Sequence, residues 1–327
     1  MSDSLASLRR KIDGAGDLES VVRSMKALAA ASIAQYEKAV LALTEYNRTV
    51  ELGLVVSLRK QEGAAPQFEP GQHSLEPTKT VGAIIFGSDQ GLVGQFNDVL
   101  ADFAVKALDA LPREKKVWAV GERMQARLAD AGLPPLGLFA VPTSVNAITP
   151  LVGQILVESE AHHAKGEFGQ LYLFHNSPRS GAAYEPVSQR LLPLDAQWGL
   201  RLAHLPWPTK NLPEVFGDQE QTLSALVREY LFVSLFKACA ESLASENASR
   251  LAAMQRAEKN IDELVLTLNQ TFRRLRQTSI DEELFEVLAG YESLSKESRA
   301  KVRDDENGYM AASLFTIRPD LGGGKAS

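Results

Sequence analysis

The stretch with the clearest chemical potential is GSDQGLVG, at residues 87–94. It lies between an apolar β-branched run and a helical run, where a phosphate-binding loop would lie. Its glycines are Gly87, Gly91 and Gly94, which fit neither the GxGxxG nor the GK[ST] spacing. Glu122 ends the second predicted strand, where a dinucleotide-binding domain carries its ribose-binding acid. The spacing favours a tight turn with close helix–sheet packing, and it leaves nucleotide binding open as an alternative.

A possible metal site consists of Glu158, His162 and His163. Adjacent histidines point to different sides of a helix, and one glutamate does not complete a three-ligand set. We therefore expect a solvated helix end and no bound metal. The five histidines form no Ser/His/Asp or Cys/His arrangement, so we predict no catalytic and no cofactor-binding residues.

The composition limits the classes of function. The only cysteine, Cys239, lies in an apolar helical run, so we expect a small core residue rather than a nucleophile. The net charge of −6 provides no global basic field, and nucleic acid is not an expected partner. No window of about 18 apolar residues occurs, which predicts no transmembrane span. The first residues do not have the pattern of a signal or transit peptide, so a cytosolic location is expected.

A reversal of charge near the end of the chain is the other chemically notable feature. The arginines are Arg273, Arg274 and Arg276, and the acids are Asp281, Glu282, Glu283 and Glu286. On a helix these side chains could form i,i+4 pairs on a solvated face. They could equally make ionic contacts with another protein, and the residues alone leave both interpretations open.

The charge reversal lies on a very long predicted helix. Residues 218–289 are 72 consecutive positions without glycine or proline. A continuous helix of that length would be roughly 108 Å long, which is too long for the interior of a globular domain. Its apolar positions follow steps of three and four residues. They are Leu226, Tyr230, Val233, Phe236, Ala240, Ala244, Ala248, Leu251, Met254, Ala257, Ile261, Leu264, Leu268, Phe272 and Leu275.

A second helix of the same kind is predicted near the N-terminus. Residues 17–52 are 36 positions without glycine or proline, again with an apolar period near 3.5. The apolar positions are Val21, Met25, Leu28, Ala29, Ser32, Tyr36, Ala39, Leu43 and Tyr46. Each helix needs a partner for its apolar face. We therefore expect the two helices to pair with each other as an antiparallel coiled coil.

Between the helices the sequence pattern changes to alternating strands and helices. Strand-like runs occur at 80–88, 116–121, 138–143, 169–177 and 184–194, and helical runs separate the first four. This order predicts a parallel, Rossmann-like sheet with an antiparallel strand at one edge. The predicted organisation is a first long helix (1–58), a linker (59–79), an α/β domain (80–215), a second long helix (218–290) and a C-terminal extension (291–327).

Three motifs in this order resemble the gamma subunit of F-type ATP synthases. LRRKI with VVRSMKALAAAS resembles the first-helix signature of the family, and SDQGLVGQFN resembles its central loop. RRLRQTSIDEELFEVLAG resembles its C-terminal signature, with matches at Arg276, Gln277, Ile280, Glu283, Glu286 and Gly290. The resemblance covers about residues 5–292. Departures, such as Asp281 in place of a usual threonine, place the chain in a divergent branch, such as an alternate F-type ATPase.

The resemblance implies a function without bond chemistry. It implies the central-stalk rotor that couples hydrogen-ion or sodium-ion transport to ATP synthesis or hydrolysis, as a non-catalytic subunit. The implied partners are the alpha and beta subunits of the catalytic ring, the epsilon subunit and the ring of c subunits. The implied location is the cytoplasmic face of a bacterial cell membrane, peripherally, through the complex. The residues implied to contact the catalytic ring are Arg9, Arg23, Met25, Arg276, Gln277 and Glu283.

Two other functions remain open on the sequence. One is a nucleotide-binding α/β protein, such as an oxidoreductase, with a coiled-coil oligomerisation arm. The other is a coiled-coil adaptor without any link to an ATPase. Within the extension, residues 293–307 contain few large apolar residues and are expected to be partly disordered, whereas YMAASLFTI at 309–317 is an apolar patch. The extension could be a mobile end or a regulatory segment.

Overall fold

The computed structural model describes residues 4–59, 80–111, 114–179, 184–194, 207, 209–211 and 217–313. The helices in these ranges are α1 (Leu5–Arg59), α2 (Phe96–Asp109), α3 (Glu122–Asp130), α4 (Val145–Ala164) and α5 (Gln219–Ser313). The strands are β1 (Thr80–Phe86), β2 (Glu114–Val120), β3 (Gly137–Phe139), β4 (Gln170–Pro178) and β5 (Tyr184–Leu192). Nearly all of the predicted linker lies outside the described residues.

The five strands form one sheet in the order β3-β2-β1-β4-β5. Strands β1 to β4 are parallel, and β5 pairs antiparallel with β4 at the edge. The predicted Rossmann-like sheet with an antiparallel edge strand is therefore confirmed. Strand β1 is central and buried over six of its seven residues, as expected for a parallel strand covered on both faces.

Alternate residues of the strands face two separate hydrophobic cores. On one face, Ala83 and Ile85 pack with residues of α2 and α3 such as Leu100 and Leu128. On the other face, Ile84 and Phe86 belong to a core formed with α4, α1 and α5; Tyr36, Leu54, Ile148, Tyr230, Leu235 and Leu243 are among its members. The long helices are thus part of the core of the α/β domain, because their apolar faces cover one side of the sheet.

From Leu8 to Val50 the buried positions of α1 repeat every seven residues. They are Leu8, Ala15, Val22, Ala29, Tyr36 and Val50, with Leu43 half-buried in the same register; Leu54, Val55 and Ser57 are also buried near the end of the helix. A strict seven-residue repeat is the pattern of a left-handed coiled coil, as the sequence predicted. The predicted seam was wrong at three positions. Val21, Leu28 and Tyr46 are 55%, 68% and 45% exposed, because the buried stripe runs through their helical neighbours.

The chain divides into two compact units, residues 19–260 and residues 1–18 with 261–327. Within residues 19–260, contacts between α1 and α5 run in opposite directions along the two helices. Leu226 packs against Gly53: a Cβ atom added to this glycine would lie 3.0 Å from Cδ2 of Leu226. Tyr46 donates a hydrogen bond to Glu229. Toward the other end of this unit, Lys26 Nζ lies 2.6 Å from a carboxylate oxygen of Glu258. The predicted antiparallel pairing is therefore confirmed in this unit.

Helix α1, at Leu5–Arg59, agrees closely with the predicted first long helix (1–58), and it continues through Gly16 and Gly53, the glycines that bound the uninterrupted run. Helix α5 does not end at Gly290 but continues to Ser313. Glycine costs about 1 kcal/mol in a helix interior, which favourable neighbours on both sides can offset. The expected disorder of residues 293–307 was wrong, and residues 314–317 of the apolar patch lie outside the described residues.

In the part of the chain that the structure describes, no helix is both long enough and apolar enough to cross a lipid bilayer.

The predicted solvated histidine pair belongs to a half-buried polar cluster instead. The Nδ1 atom of His162 lies 2.8 Å from Glu167 Oε2, and Lys116 donates a hydrogen bond to the same carboxylate. His163 Nδ1 lies 3.1 Å from the carbonyl oxygen of Phe168. Both rings are half-buried, because the chain turns back after α4 and covers them. The hydrogen bonds from Lys116, and then from His162, lower the pKa of Glu167 to about 2.

This cluster predicts a specific acid dependence. The pKa of Glu167 is lower in the folded chain than its ordinary value of 4.5, so its stabilising contribution is present above pH 4.5. It is lost as the pH falls from 4.5 toward 2. We expect Glu167→Gln to lower the melting temperature at pH 7 and to reduce its dependence on pH between 4.5 and 2, measured by circular dichroism. Glu122→Gln, which removes an exposed carboxylate, is the control; equal pH profiles for both variants would contradict the prediction.

Candidate functional site

The loop after β1, predicted as a turn or a phosphate site, is closed by its own side chains. The side-chain oxygen of Asn97 accepts a hydrogen bond from the backbone N–H of Ser88 at 3.1 Å, and its nitrogen donates to the Ser88 hydroxyl at 2.8 Å. That hydroxyl donates in turn to the carbonyl oxygen of Gln90 at 3.0 Å. The polar groups of the loop thus hold the loop itself together.

Asp89 bonds to backbone N–H groups at the start of α3 and after β3. One of its oxygens accepts from the backbone N–H of Glu122 at 2.9 Å, and the other accepts from Val141 at 2.9 Å. Glu122 is the first residue of α3, not the last residue of the strand as predicted, and its side chain is exposed. A carboxylate on the first N–H of a helix satisfies the donor and repels an anion. This arrangement favours the structural interpretation of the loop.

The glycines around this loop allow close packing. A side chain on Gly87 would begin 2.3 Å from Cβ of Met124, so α3 could not approach β1 as it does. A side chain on Gly121 would begin 2.7 Å from the backbone of Ser88, and the φ of Gly121 is +107°. Close helix–sheet packing at Gly87 agrees with the sequence analysis.

The carboxyl edge of the sheet, where α/β domains hold their ligands, is covered by α5. Three serines on one face of α5 donate hydroxyl hydrogen bonds to carbonyl oxygens of this edge. Ser242 bonds to Phe86 at the end of β1, Ser245 to Asn176 near the end of β4, and Ser249 to Val93 in the loop after β1. The sequence analysis missed these serines, although their spacing of three and four residues was a usable signal.

A buried contact between a histidine and a glutamate joins α5 to β4 beside the serines. The Nε2 atom of His175 lies 2.9 Å from Glu241 Oε2, and both side chains are largely buried. Burial alone would favour the neutral carboxyl of Glu241. The hydrogen bond and charge of His175 outweigh that effect and lower the pKa of Glu241, with a smaller contribution from Lys237. The pair therefore adds a charged contact between α5 and the sheet.

Two other predicted sites have structural roles. Cys239 is 1% exposed, and burial raises the pKa of its thiol, so it is a core residue as predicted. Glu158 accepts a hydrogen bond from the indole of Trp118 at 2.8 Å. Within the described ranges, no cluster of three or more histidine, cysteine, aspartate or glutamate side chains could hold a metal ion.

The residues expected to contact a catalytic ring lie at the surface. Arg9 is exposed, Arg23 forms an exposed ion pair with Glu19, and Met25 is half-buried. Arg276, Gln277 and Glu283 are exposed on α5, where the Gln277 amide donates to Asp281 at 3.1 Å. The residues Arg276 and Glu283 lie seven positions apart and so share one face of the helix. Their contact with other subunits stays a prediction.

An exposed apolar surface follows on the same helix. From Ile280 to Leu294 every residue is exposed, including seven large apolar side chains. They are Ile280, Leu284, Phe285, Val287, Leu288, Tyr291 and Leu294, with exposures between 47% and 72%. Five of them follow steps of four and three residues, which places them on one face. The sequence analysis did not identify this surface, although its spacing is readable.

Comparison with known proteins gives one consistent family. The family model described as ATP synthase matches residues 4–294. A curated ATP synthase gamma chain of a Synechococcus species is 29% identical over 322 residues, which cover 89% of this chain and 99% of the relative. The ATP synthase gamma chain of Nautilia profundicola is 25% identical over 301 residues, with the same coverage of both chains.

Solved structures show the same fold. A chain from the mitochondrial ATP synthase of Euglena gracilis, in a structure of OSCP, F1 and the c-ring, aligns with a TM-score of 0.59 and 16% identity. The alignment covers 89% of this chain and 94% of that one. A chain from the central stalk and c-ring of the Tetrahymena thermophila enzyme aligns with a TM-score of 0.51 and 20% identity, over 72% and 99% of the two chains. With the family match over residues 4–294, these findings show that the chain belongs to the ATP synthase gamma-chain family.

Proposed function

We propose that this chain is the central-stalk rotor of an F-type ATP synthase or ATPase. It couples ion transport in a membrane sector to ATP synthesis or hydrolysis in a catalytic ring of alpha and beta subunits. The chain itself performs no bond chemistry. Its further partners are an epsilon subunit and a ring of c subunits, and it lies peripherally on the cytoplasmic face of a bacterial membrane.

The observation that carries this proposal is the exposed apolar face of α5 between residues 280 and 294. Seven large apolar side chains on a fully exposed helical segment are unfavourable in water, at about 25 cal/mol for each Å² of apolar surface. Such a surface marks a site that another protein covers. The segment lies within the family match, which ends at residue 294. A catalytic ring that surrounds the helix would cover this face.

Exposed charges next to this face suit a contact that changes during rotation. Arg276 and Glu283 are exposed, and ion pairs at exposed positions contribute about 0–1 kcal/mol each. Contacts of that strength break and re-form readily. As a shaft rotates, each catalytic site meets a different face of it in turn. The conformational equilibrium of that site can shift only by the difference in contact free energy between one face and the next. The two classes of residues, apolar and charged, would provide those different faces.

The α/β domain supports the proposal because α5 covers much of the carboxyl edge, where such domains hold their ligands. Asp89 also holds the backbone N–H at the start of α3. This arrangement does not favour the alternative of a nucleotide-dependent enzyme. The domain instead offers a rigid mount for α5, on which the epsilon and c subunits could act.

The general experiment is purification of the tagged full chain from its native host. We expect alpha and beta subunits to copurify together with ATP hydrolysis activity. Recovery of the chain without any ATP-hydrolysing subunit would contradict the rotor proposal and favour a free coiled-coil adaptor.

A double substitution tests the charged contact. Arg276→Ala with Gln277→Ala should lower the ATPase turnover of the assembled complex about threefold to tenfold, since one to two weak polar contacts correspond to about 1 kcal/mol. The isolated chain should keep its melting temperature, because both side chains are exposed. The matched control is Arg256→Ala with Gln255→Ala, which changes the same residue types at exposed positions of α5. Unchanged turnover, or an equal loss in the control, would refute the contact.

A second substitution tests the apolar face. Val287→Glu places a charge at a position that is 72% exposed, so the isolated chain should remain folded with an unchanged melting temperature. The affinity for the alpha and beta subunits should fall at least tenfold, because the glutamate carboxylate would be desolvated in the interface. Leu41→Glu is the control, since Leu41 is also 72% exposed but lies on α1. Assembly is measured by titration of the catalytic subunits, and normal assembly of Val287→Glu would exclude this face from the interface.

A further inference from the structure

A cavity of about 210 Å³ lies between α1, the loop after β1, the residues after β3 and helix α5. Its lining includes Tyr36 from α1, Asp89 from the loop, and Glu246, Asn247 and Arg250 from α5. Two carboxylates and one guanidinium therefore border the same space. All of these residues belong to the compact unit of residues 19–260.

The ion pair at this cavity is only half formed. Arg250 Nη2 lies 2.6 Å from Glu246 Oε1, and Arg250 Nη1 lies 3.3 Å from the side-chain oxygen of Asn247. The second carboxylate oxygen of Glu246 and the Nε atom of Arg250 are buried without a hydrogen-bond partner in the described part of the chain. Arginine and a carboxylate can form two parallel hydrogen bonds, and here they form one. Unpaired buried charged groups are costly, so this arrangement is a weakly held one.

Glu246 is also placed to take up a proton. It is 5% exposed, and burial raises the pKa of its carboxyl. The charge of Arg250 opposes that effect and the charge of Asp89 adds to it, with the net result that the pKa is raised. The other titratable groups that face it are Tyr36 from α1 and Cys239 from α5, and burial raises the pKa of both, so they remain neutral.

Asp89 is an alternative partner for the guanidinium. Each of its oxygens accepts one backbone hydrogen bond, from Glu122 and from Val141. A carboxylate has about four acceptor positions, so two remain for Arg250. The cavity between the two side chains has the volume of about seven water molecules at roughly 30 Å³ each, which gives the arginine room to move.

We propose that Arg250 exchanges carboxylate partners through this cavity, pairing with Glu246 when Glu246 is ionised and with Asp89 when Glu246 is protonated. In the first state Arg250 bonds, among the described residues, to Glu246 and Asn247 of its own helix. In the second state it connects α5 to the loop after β1. Acidification thus adds a charged contact between the long helix and the α/β domain. This switch does not depend on the proposed rotor function.

The test follows the Nε–H signal of Arg250 in the full chain by ¹⁵N NMR between pH 5 and 9, at constant ionic strength. Arg250→Lys assigns the signal. We expect one titration with a single midpoint in the unaltered chain. Glu246→Gln should remove the titration and hold the signal at its low-pH position, because the amide carries no charge. Glu37→Gln, an exposed neighbour of Tyr36, should leave the midpoint unchanged. A wild-type signal that does not shift, or an equal midpoint in Glu246→Gln, would overturn the proposal.

A second measurement remains decisive if Glu246→Gln does not fold. Crystal structures of the unaltered chain at pH 5 and pH 9 should show Arg250 within hydrogen-bond distance of Asp89 at pH 5 and of Glu246 at pH 9. Arg250 on Glu246 at both pH values would show that the exchange does not occur. Asp89→Asn should retain the high-pH NMR signal and lose the low-pH position, and retention of both positions would equally refute Asp89 as the partner.

Discussion

The seating of α5 on the carboxyl edge of the sheet is the interaction on which the rest of the structure depends. From Tyr230 to Ser249 all but three residues of α5 are buried, so this segment is surrounded by protein. A buried sheet edge has carbonyl groups that need hydrogen-bond donors. The hydroxyl groups of Ser242, Ser245 and Ser249 supply them, and the hydrogen bond between His175 and Glu241 adds a further polar contact.

This seating gives the α/β domain a mechanical role. In doubly wound domains the crevice at the carboxyl edge holds the ligand, and here a helix of the same chain covers much of that edge, beside a cavity of about 210 Å³. Each neutral hydrogen bond contributes only about 0.5–1.5 kcal/mol. Most of the stability of the contact between α5 and the sheet therefore comes from apolar burial around residues such as Leu235 and Leu243. The serine hydroxyl groups fix the position of α5 along the sheet edge. The exposed segment at residues 280–294 has the opposite character, with an apolar face available for contacts with other subunits.

Much of this fold could be predicted, because its signals are local. The strand positions follow from short apolar runs, and each observed strand overlaps its predicted run. The effect of a glycine on a long helix could not be predicted in the same way. Glycine at position 53 is unfavourable in a helix, but Leu226 of α5 packs directly against Gly53. This tertiary contact helps to keep α1 helical at that position. The phase of the seam was also wrong at Val21, since a neighbour, Val22, carries equal hydrophobicity and only the partner helix distinguishes the two.

The sequence by itself determined the period of the long helices, the alternation of strands and helices, and the family, since each is a property of neighbouring residues. Only the tertiary structure decided which partners the polar side chains have. Asp89 bonds to Glu122 and Val141, and Ser242 bonds to Phe86, although these partners lie 33, 52 and 156 positions away. On a solvated helix, Glu246 and Arg250 would form an ordinary i,i+4 pair. Burial beside a cavity and Asp89 changes their chemistry, because desolvation depends on what the fold places around a charge.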